Sequence, residues 1–243
     1  MALLDVQGIT KRFGGLVAVN DFSLSVDRGH IVALIGPNGA GKTTAFNVIA
    51  GFYKPNDGKV FFDGVEITGL RPDQVCKLGL SRTFQVVRPF GSISVLDNVM
   101  VGAYARTSDT RVAREKAEEA LEFFGMQKFA GSTASGLPIA SRKRLEIARA
   151  LATGPKMMLL DEAMAGLRPA EADEVIAMVR KMSEEKGIAI LLVEHVMKVV
   201  MSLSERIAVL HHGEKIAEGN PSDVVQDKQV IDAYLGEANV TSR

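Results

Sequence analysis

The stretch Gly36-Pro37-Asn38-Gly39-Ala40-Gly41-Lys42-Thr43 lies between an apolar run, Ile31 to Ile35, and a helix-like segment, Thr44 to Ile49. A chain carrying it must place a strand, a tight loop and a helix in immediate succession. Glycine is needed because the loop backbone curls its N–H groups around an anion and adopts positive φ values that a β-carbon disfavours. Gly36, Gly39 and Gly41 meet that need. Lys42 adds a point charge for the β- and γ-phosphates, Thr43 offers a hydroxyl to Mg²⁺, and the helix from Thr44 presents its positive dipole end to the same anion. The loop therefore reads as a cradle for a magnesium-bound nucleotide, with Pro37, Asn38, Ala40 and Thr44 as its remaining wall.

Composition narrows the setting without naming a partner. A chain of 243 residues, 47% hydrophobic and 24% charged, is long enough for one large domain or one domain with a sub-lobe. Lys plus Arg (29) balances Asp plus Glu (29), so no overall field favours nucleic acid or an anionic membrane. The single Cys76 has no internal disulfide partner, and Asp5 and Gln7 interrupt the apolar N-terminus too early for a signal peptide. A reducing cytoplasm is the expected location. No apolar run approaches the roughly 20 residues that span a bilayer, so membrane association is expected through a partner.

In order, Leu3 to Ile9 and Val17 to Val26 alternate apolar and polar residues about the turn at Phe13-Gly14-Gly15, predicting antiparallel strands. Ile31 to Ile35 suits a strand buried on both faces. Lys59 to Phe62 and Val65 to Ile67, about Asp63-Gly64, predict a hairpin. Leu80 to Gln85 reads as a short strand, and from Pro89 to Leu151 the pattern turns helical, most clearly over Arg111 to Phe124. Met157 to Leu160 and Ile188 to Val193 return to buried strands, with Ala170 to Glu185 as the helix between them, which implies a parallel crossover. The tail predicts strands over Ile207 to Leu210 and Lys215 to Glu218, a turn at His212-Gly213-Glu214 and one last helix from Asp223 to Leu235.

A second site follows from the first. Met157-Met158-Leu159-Leu160 runs into Asp161-Glu162, two carboxylates at the carboxyl end of a buried parallel strand, where open α/β sheets bind ligands. Asp161 is expected to hold Mg²⁺ through water, and Glu162 to accept a proton from the water that attacks the γ-phosphorus. Either residue alone would serve equally well as a helix N-cap. His195, at the end of its own strand, is assigned a γ-phosphate contact, and Gln85 orients water or touches Mg²⁺.

Taken together these residues resemble the ATP-binding cassette ATPases over nearly the whole chain. Phe13 falls where that family stacks an aromatic on adenine. Gly36 to Thr43 matches Walker A, Thr83-Phe84-Gln85 the Q-loop, Leu159 to Glu162 Walker B, Ala165-Gly166-Leu167 the D-loop and His195 the switch histidine. The wording of Lys11 to Leu16, Ser81 to Gln85, Arg144 to Ala150 and Gly219 to Gly236 is most similar to the ATP-binding subunits of branched-chain amino acid type importers, a group that also serves urea, other amino acids and aromatic acids. The resemblance implies a P-loop NTPase core with a mainly parallel sheet, an antiparallel β subdomain and an inserted α-helical subdomain, within one domain over 1–243. The core and β subdomain are expected over 1–88 and 152–243, and the helical subdomain over 89–151. It further implies ATP and Mg²⁺, a transmembrane permease, a periplasmic solute-binding protein acting indirectly, a second and unlike ABC ATPase subunit, and a place on the inner face of the cell membrane. A groove gripping a helix of the permease is implied at Val86, Val87, Arg88, Pro89 and Phe90, although Phe90 serves equally well as helical core.

The departures from the family matter as much. Where it carries Leu-Ser-Gly-Gly-Gln, this chain reads Leu137-Pro138-Ile139-Ala140-Ser141. Pro138 removes a hydroxyl and a backbone donor, while Ile139 and Ala140 add β-carbons where a phosphate approaches closely. Val196 stands where an Asp commonly follows the His, and Arg168 where Asn or Asp follows the D-loop Leu. In the family the signature serves the nucleotide held by the other subunit, so this chain is expected to bind ATP well and complete its partner's site badly. An importer's ATPase is the reading favoured. Soluble ABC proteins of DNA repair or translation usually carry two cassettes in one chain or long coiled-coil insertions, neither of which this sequence shows. The alternative, a nucleotide-binding ABC protein with little hydrolysis of its own, regulatory or dependent on an unlike ATPase partner, is kept open by the altered signature, while Glu162 and His195 argue against it.

Overall fold

The computed structural model describes residues 2–85 and 89–238. In chain order its elements are β1 Leu4–Phe13, β2 Leu16–Val26, β3 Ile31–Ile35, α1 Lys42–Ile49, β4 Asp57–Phe62, β5 Val65–Glu66, α2 Pro72–Leu78, β6 Leu80–Arg82, α3 Val95–Ala103, α4 Thr110–Phe123, α5 Ile139–Leu151, β7 Met157–Asp161, α6 Pro169–Lys186, β8 Ala189–Val193, α7 Met197–Leu203, β9 Arg206–His211, β10 Glu214–Gly219, α8 Pro221–Val224 and α9 Lys228–Ala238. A six-stranded sheet runs β10-β9-β3-β8-β7-β6, and a four-stranded sheet runs β2-β1-β4-β5. The first is parallel except for β10, and the second is antiparallel throughout.

Every residue of β3, β7 and β8 is buried, which a strand can sustain only with packed layers on both faces. The two-residue pleat sorts their side chains. Ile31, Ala33, Ile35, Met158, Leu160, Ile190 and Leu192 join a core shared with α3, α4, α5 and α6. Val32, Leu34, Met157, Leu159, Leu191 and Val193 join a second core with α1 and the antiparallel sheet. Residues 95–151 thus pack on one face of the large sheet, and α1 and the four-stranded antiparallel sheet on the other.

Several expectations shift in detail. β6 ends at Arg82 rather than Gln85: Thr83 N–H still donates to the Leu159 carbonyl, but Phe84 N–H is taken by the Glu146 side chain, so the ladder stops. The tail helix is two helices, α8 and α9, instead of one over Asp223 to Leu235. α2 and α7 were not anticipated; α2 starts with Pro72 in its first turn and has Gln74 reaching back to the Arg71 N–H. Glu214 belongs to β10 rather than to the turn. Arg168 caps α6, its N–H donating to Glu171 at 3.0 Å ahead of Pro169.

Candidate functional site

The loop 36–43 leaves the carboxyl end of β3, flanked in the sheet by β8 and β9. Gly36 (φ 149°) and Gly41 (φ 103°) are held in conformations that L side chains rarely adopt. Space forbids a side chain as well, because a Cβ at Gly36 would lie 2.0 Å from the Leu210 carbonyl oxygen and one at Gly41 2.3 Å from that of Ala18. The loop is pressed between β9 and β2, and Gly213 N–H closes it from the next turn by donating to the Ala40 carbonyl at 2.9 Å. The nearly buried Lys42 Nζ donates to the carbonyls of Gly36 (2.6 Å) and Pro37 (2.7 Å). α1 has Gly41 as its N-cap and so no side-chain cap.

Above the loop lies a cavity of about 590 Å³ whose wall runs from Phe13 and Val17 over Asn38, Gly39, Ala40, Gly41, Lys42, Thr43 and Thr44 to Gln85 and Glu162. Phe13 is 43% exposed and meets Tyr53 edge-on at 5.3 Å, an upright aromatic wall on which a flat base can stack. His212, at a φ of 49°, completes the rim, which the sequence reading did not foresee.

The two carboxylates at the end of β7 face different ways. Asp161 is buried and its Oδ2 accepts from Arg82 Nη2 at 2.8 Å. Glu162 turns into the left-handed region (φ 48°), its N–H fixed to the Val193 carbonyl of β8 at 2.9 Å. That turn aims its carboxylate at Gln85, whose Nε2 donates to Oε2 at 2.9 Å, and at His195, whose Nδ1 stands 3.9 Å from the same oxygen. Gln85, Glu162 and His195 are therefore brought together, while Asp161, Thr43 and Gln85 share the wall of a second cavity of about 800 Å³ behind them. Thr43, Gln85 and Asp161 supply only hard oxygen donors, which suit Mg²⁺. Among the described residues no group of three or more His, Cys, Asp or Glu forms a metal cage, so an ion here would take its remaining ligands from phosphate and water.

The 137–141 stretch stands apart from this cluster at the start of α5. Leu137 and Ala140 are buried, Pro138 is the N-cap with φ −57°, and Ile139 is 50% exposed. The N–H groups of Ile139, Ala140 and Ser141 fall in the first helical turn, before the Arg142 N–H that bonds back to Pro138, so three backbone donors survive the loss of the glycines.

Four charged residues escaped sequence reasoning. Arg82 is one. Lys143 on α5 crosses to β7 and donates to the Glu162 carbonyl at 2.8 Å; burial pulls its pKa down, with Glu194, Glu146 and Glu162 opposing. Burial pushes Glu146 up, against the Phe84 N–H it accepts at 2.8 Å. Burial likewise pushes Glu194 up, against the Met164 N–H it accepts at 2.9 Å. For Lys143 and Glu146 the available signal was charge at inward positions of the helix after Arg142, which in a single sequence is indistinguishable from a solvated face.

Comparison with known proteins decides the family. The ABC transporter family model matches residues 19–165, and a model described as a branched-chain amino acid ATP-binding cassette transporter matches residues 214–239. The chain belongs to the ABC transporter family. As an ABC cassette it is 41% identical, over 97% of its length and 98% of theirs, to the high-affinity branched-chain amino acid transport ATP-binding proteins BraF of Pseudomonas aeruginosa and LivG of Escherichia coli K12. A probable LivG of Archaeoglobus fulgidus is 34% identical, over 97% of this chain and 96% of that one. Among solved structures, the ADP conformation of an ABC transporter cassette superposes with a TM-score of 0.89 at 33% identity, covering 97% of this chain and 99% of that one. A nucleotide-free cassette gives 0.88 at 33% identity, covering 96% and 99%. The fold is thus that of an ABC ATPase, and the protein is an ATPase of this type. Among the described residues no helix is long and apolar enough to cross a membrane.

Proposed function

We propose that this chain is the ATP-binding and ATP-hydrolysing subunit that powers an ABC importer for branched-chain amino acids or a related small polar or organic-acid solute. The observation that carries this reading is the convergence of Gln85 and His195 on the Glu162 carboxylate at the mouth of the phosphate loop. ATP lies with adenine against Phe13 and phosphates in the loop, where Lys42 exchanges the Gly36 and Pro37 carbonyls for β- and γ-phosphate oxygens. Glu162 accepts the proton of the attacking water, Gln85 orients that water, and His195 reaches the γ-phosphate. Thr43, Gln85 and Asp161 hold Mg²⁺, which offsets the phosphate charge when bound.

The second cavity runs between the Gln85 segment and the helices, lined by Phe52, Phe84, Phe90, Val101 and Arg149. We assign it to a short helix of the permease on the inner face of the membrane. Phe90 is 51% exposed with Arg149 over its ring at 5.5 Å, a placement that suits docking better than core packing. Val86, Val87 and Arg88, also assigned to this groove, lie outside the described residues. The core with its antiparallel sheet spans 1–88 and 152–243, and the helical subdomain spans 89–151. An unlike ABC ATPase with an intact signature completes this chain's site, whereas Leu137 to Ser141 caps the partner's nucleotide poorly. A periplasmic binding protein delivers the solute.

ATP turnover by the purified chain across protein concentrations tests this, beside Glu162→Gln and a variant combining Pro138→Ser, Ile139→Gly, Ala140→Gly and Ser141→Gln. The expected result is weak turnover alone, raised by the fourfold variant with second-order dependence on concentration and lost in Glu162→Gln. Strong Glu162-dependent turnover that the fourfold variant leaves unchanged would refute the need for an unlike partner.

A further inference from the structure

Arg82 sits where three parts of the molecule meet. Its side chain is only 7% exposed. Nη2 donates to Asp161 Oδ2 at 2.8 Å, and Nη1 to Asn47 Oδ1 on α1, the helix leaving the phosphate loop, at 2.6 Å. The guanidinium carbon lies 5.5 Å from the ring centres of Phe52 and Phe84 and 5.8 Å from that of Phe46. Phe52 and Phe84 pack edge-to-face at 5.8 Å, each is 45% exposed, and both wall the groove behind the nucleotide site. Nε has no acceptor among the described residues, so the orientation of the fork is set by one carboxylate, one amide and the rings.

We propose that Arg82 is a positioning residue through which the groove aromatics set the Asp161 carboxylate. The inference rests on reading Asp161 as the carboxylate that faces Mg²⁺. The Nη2 contact occupies one oxygen of Asp161 and leaves the other to face the ion's hydration shell. A planar guanidinium transmits ring position to a carboxylate because it stacks and forks in one rigid plane; an ammonium does neither. An occupant of the groove that moves Phe52 and Phe84 therefore turns Asp161 without touching nucleotide. The Gln85 segment, which lies one residue beyond Phe84, moves with it.

The test is binding of a fluorescent ATP analogue by the full chain, titrated with MgCl₂ and repeated in EDTA. Arg82→Met is expected to raise the half-saturating magnesium concentration about 10–100-fold, as loss of an outer-sphere partner typically does, with affinity in EDTA unchanged. Arg82→Lys keeps the charge and loses the fork, and is expected to fall between Arg82→Met and wild type. Phe52→Leu and Phe84→Leu, which leave the ion pair in place, are expected to raise it severalfold. If Arg82→Met does not fold, the lysine and leucine variants carry the test. A magnesium midpoint unmoved in the folded Arg82 variants, or in both phenylalanine variants, overturns the proposal. Asp161→Asn separates the two levels: if it too leaves the midpoint unmoved, the reading of Asp161 fails; if it alone moves the midpoint, only the role of Arg82 fails.

Discussion

The phosphate loop and the 137–141 stretch make an instructive pair, since both precede helices and both are, in this family, places where glycine brings backbone N–H groups to a phosphate. In the loop, substitution is blocked from two sides: positive φ and neighbouring carbonyls 2.0 and 2.3 Å from the missing Cβ atoms. At 137–141 nothing blocks it. Pro138 fits its N-cap dihedrals, and Ile139 stands half exposed on the first turn of α5. Glycine in the loop is a requirement of this chain's own fold, whereas at 138–141 it would be a requirement only of whatever faces the helix from outside. The anchoring differs too: the loop is fastened through its own carbonyls, Ala40 to the Gly213 N–H and Gly36 and Pro37 to Lys42 Nζ, and α5 is fastened to the site by charged side chains, Lys143 and Glu146.

Gly36→Ala should break the comparison most visibly. A methyl group 2.0 Å from the Leu210 carbonyl oxygen must displace β9 or the loop, so ATP affinity should fall about 5- to 150-fold for strain of about 1–3 kcal/mol, or further if the loop no longer forms. Equilibrium binding with the variant checked for folding measures it, and unchanged affinity would mean the loop is looser than drawn. Phe13→Ala probes the far wall, where stacking is worth about 0.5–1.5 kcal/mol, so affinity should drop roughly two- to tenfold with turnover at saturation unchanged.

The buried acid beside the Lys143 anchor, Glu194, should show as pH dependence. Burial raises the Glu194 pKa above its ordinary 4.5, so its contribution to stability is complete below that value and is lost as pH rises through the higher folded value. Glu194→Gln, still able to accept the Met164 N–H, should therefore raise Tm at pH 7, the gain fading toward pH 4; roughly 2–4 °C accompanies each kcal/mol in a chain of this size. Thermal melts at the two pH values decide, and an equal shift at both would place the effect outside titration. The smallest effect belongs to Ile139→Gly, which should change stability by under about 1 kcal/mol by denaturant titration, in contrast to the glycine substitution in the loop.

What the sequence made legible follows the same division. The loop, the buried strands and the placing of Asp161 and Glu162 were readable because each is specified by contiguous residues. Strand order was not, since nothing local tells β3 to sit between β8 and β9. α2, at seven residues, is too short to develop a helical period, and the break between α8 and α9 carries no proline or glycine to announce it. Arg82 appeared only as part of a family-like string, because its partners Asn47 and Asp161 lie 35 and 79 positions away. The meeting of Gln85, Glu162 and His195 was foreseen as a shared sheet edge, but the single oxygen they share was not.

The backbone of Glu162 bears on how any mutational series at that position is read. With φ at 48° it occupies a conformation that asparagine, aspartate and glycine tolerate and β-branched residues resist. Replacements therefore fall into two populations. Gln, Asn and Gly report the loss of a carboxylate on an intact turn, whereas Val, Ile and Thr also disturb the turn that leads from β7 toward the D-loop. A saturation library at 162 scored by transport alone would merge the two, and only a parallel score for abundance would separate the chemistry of the side chain from the geometry of the chain.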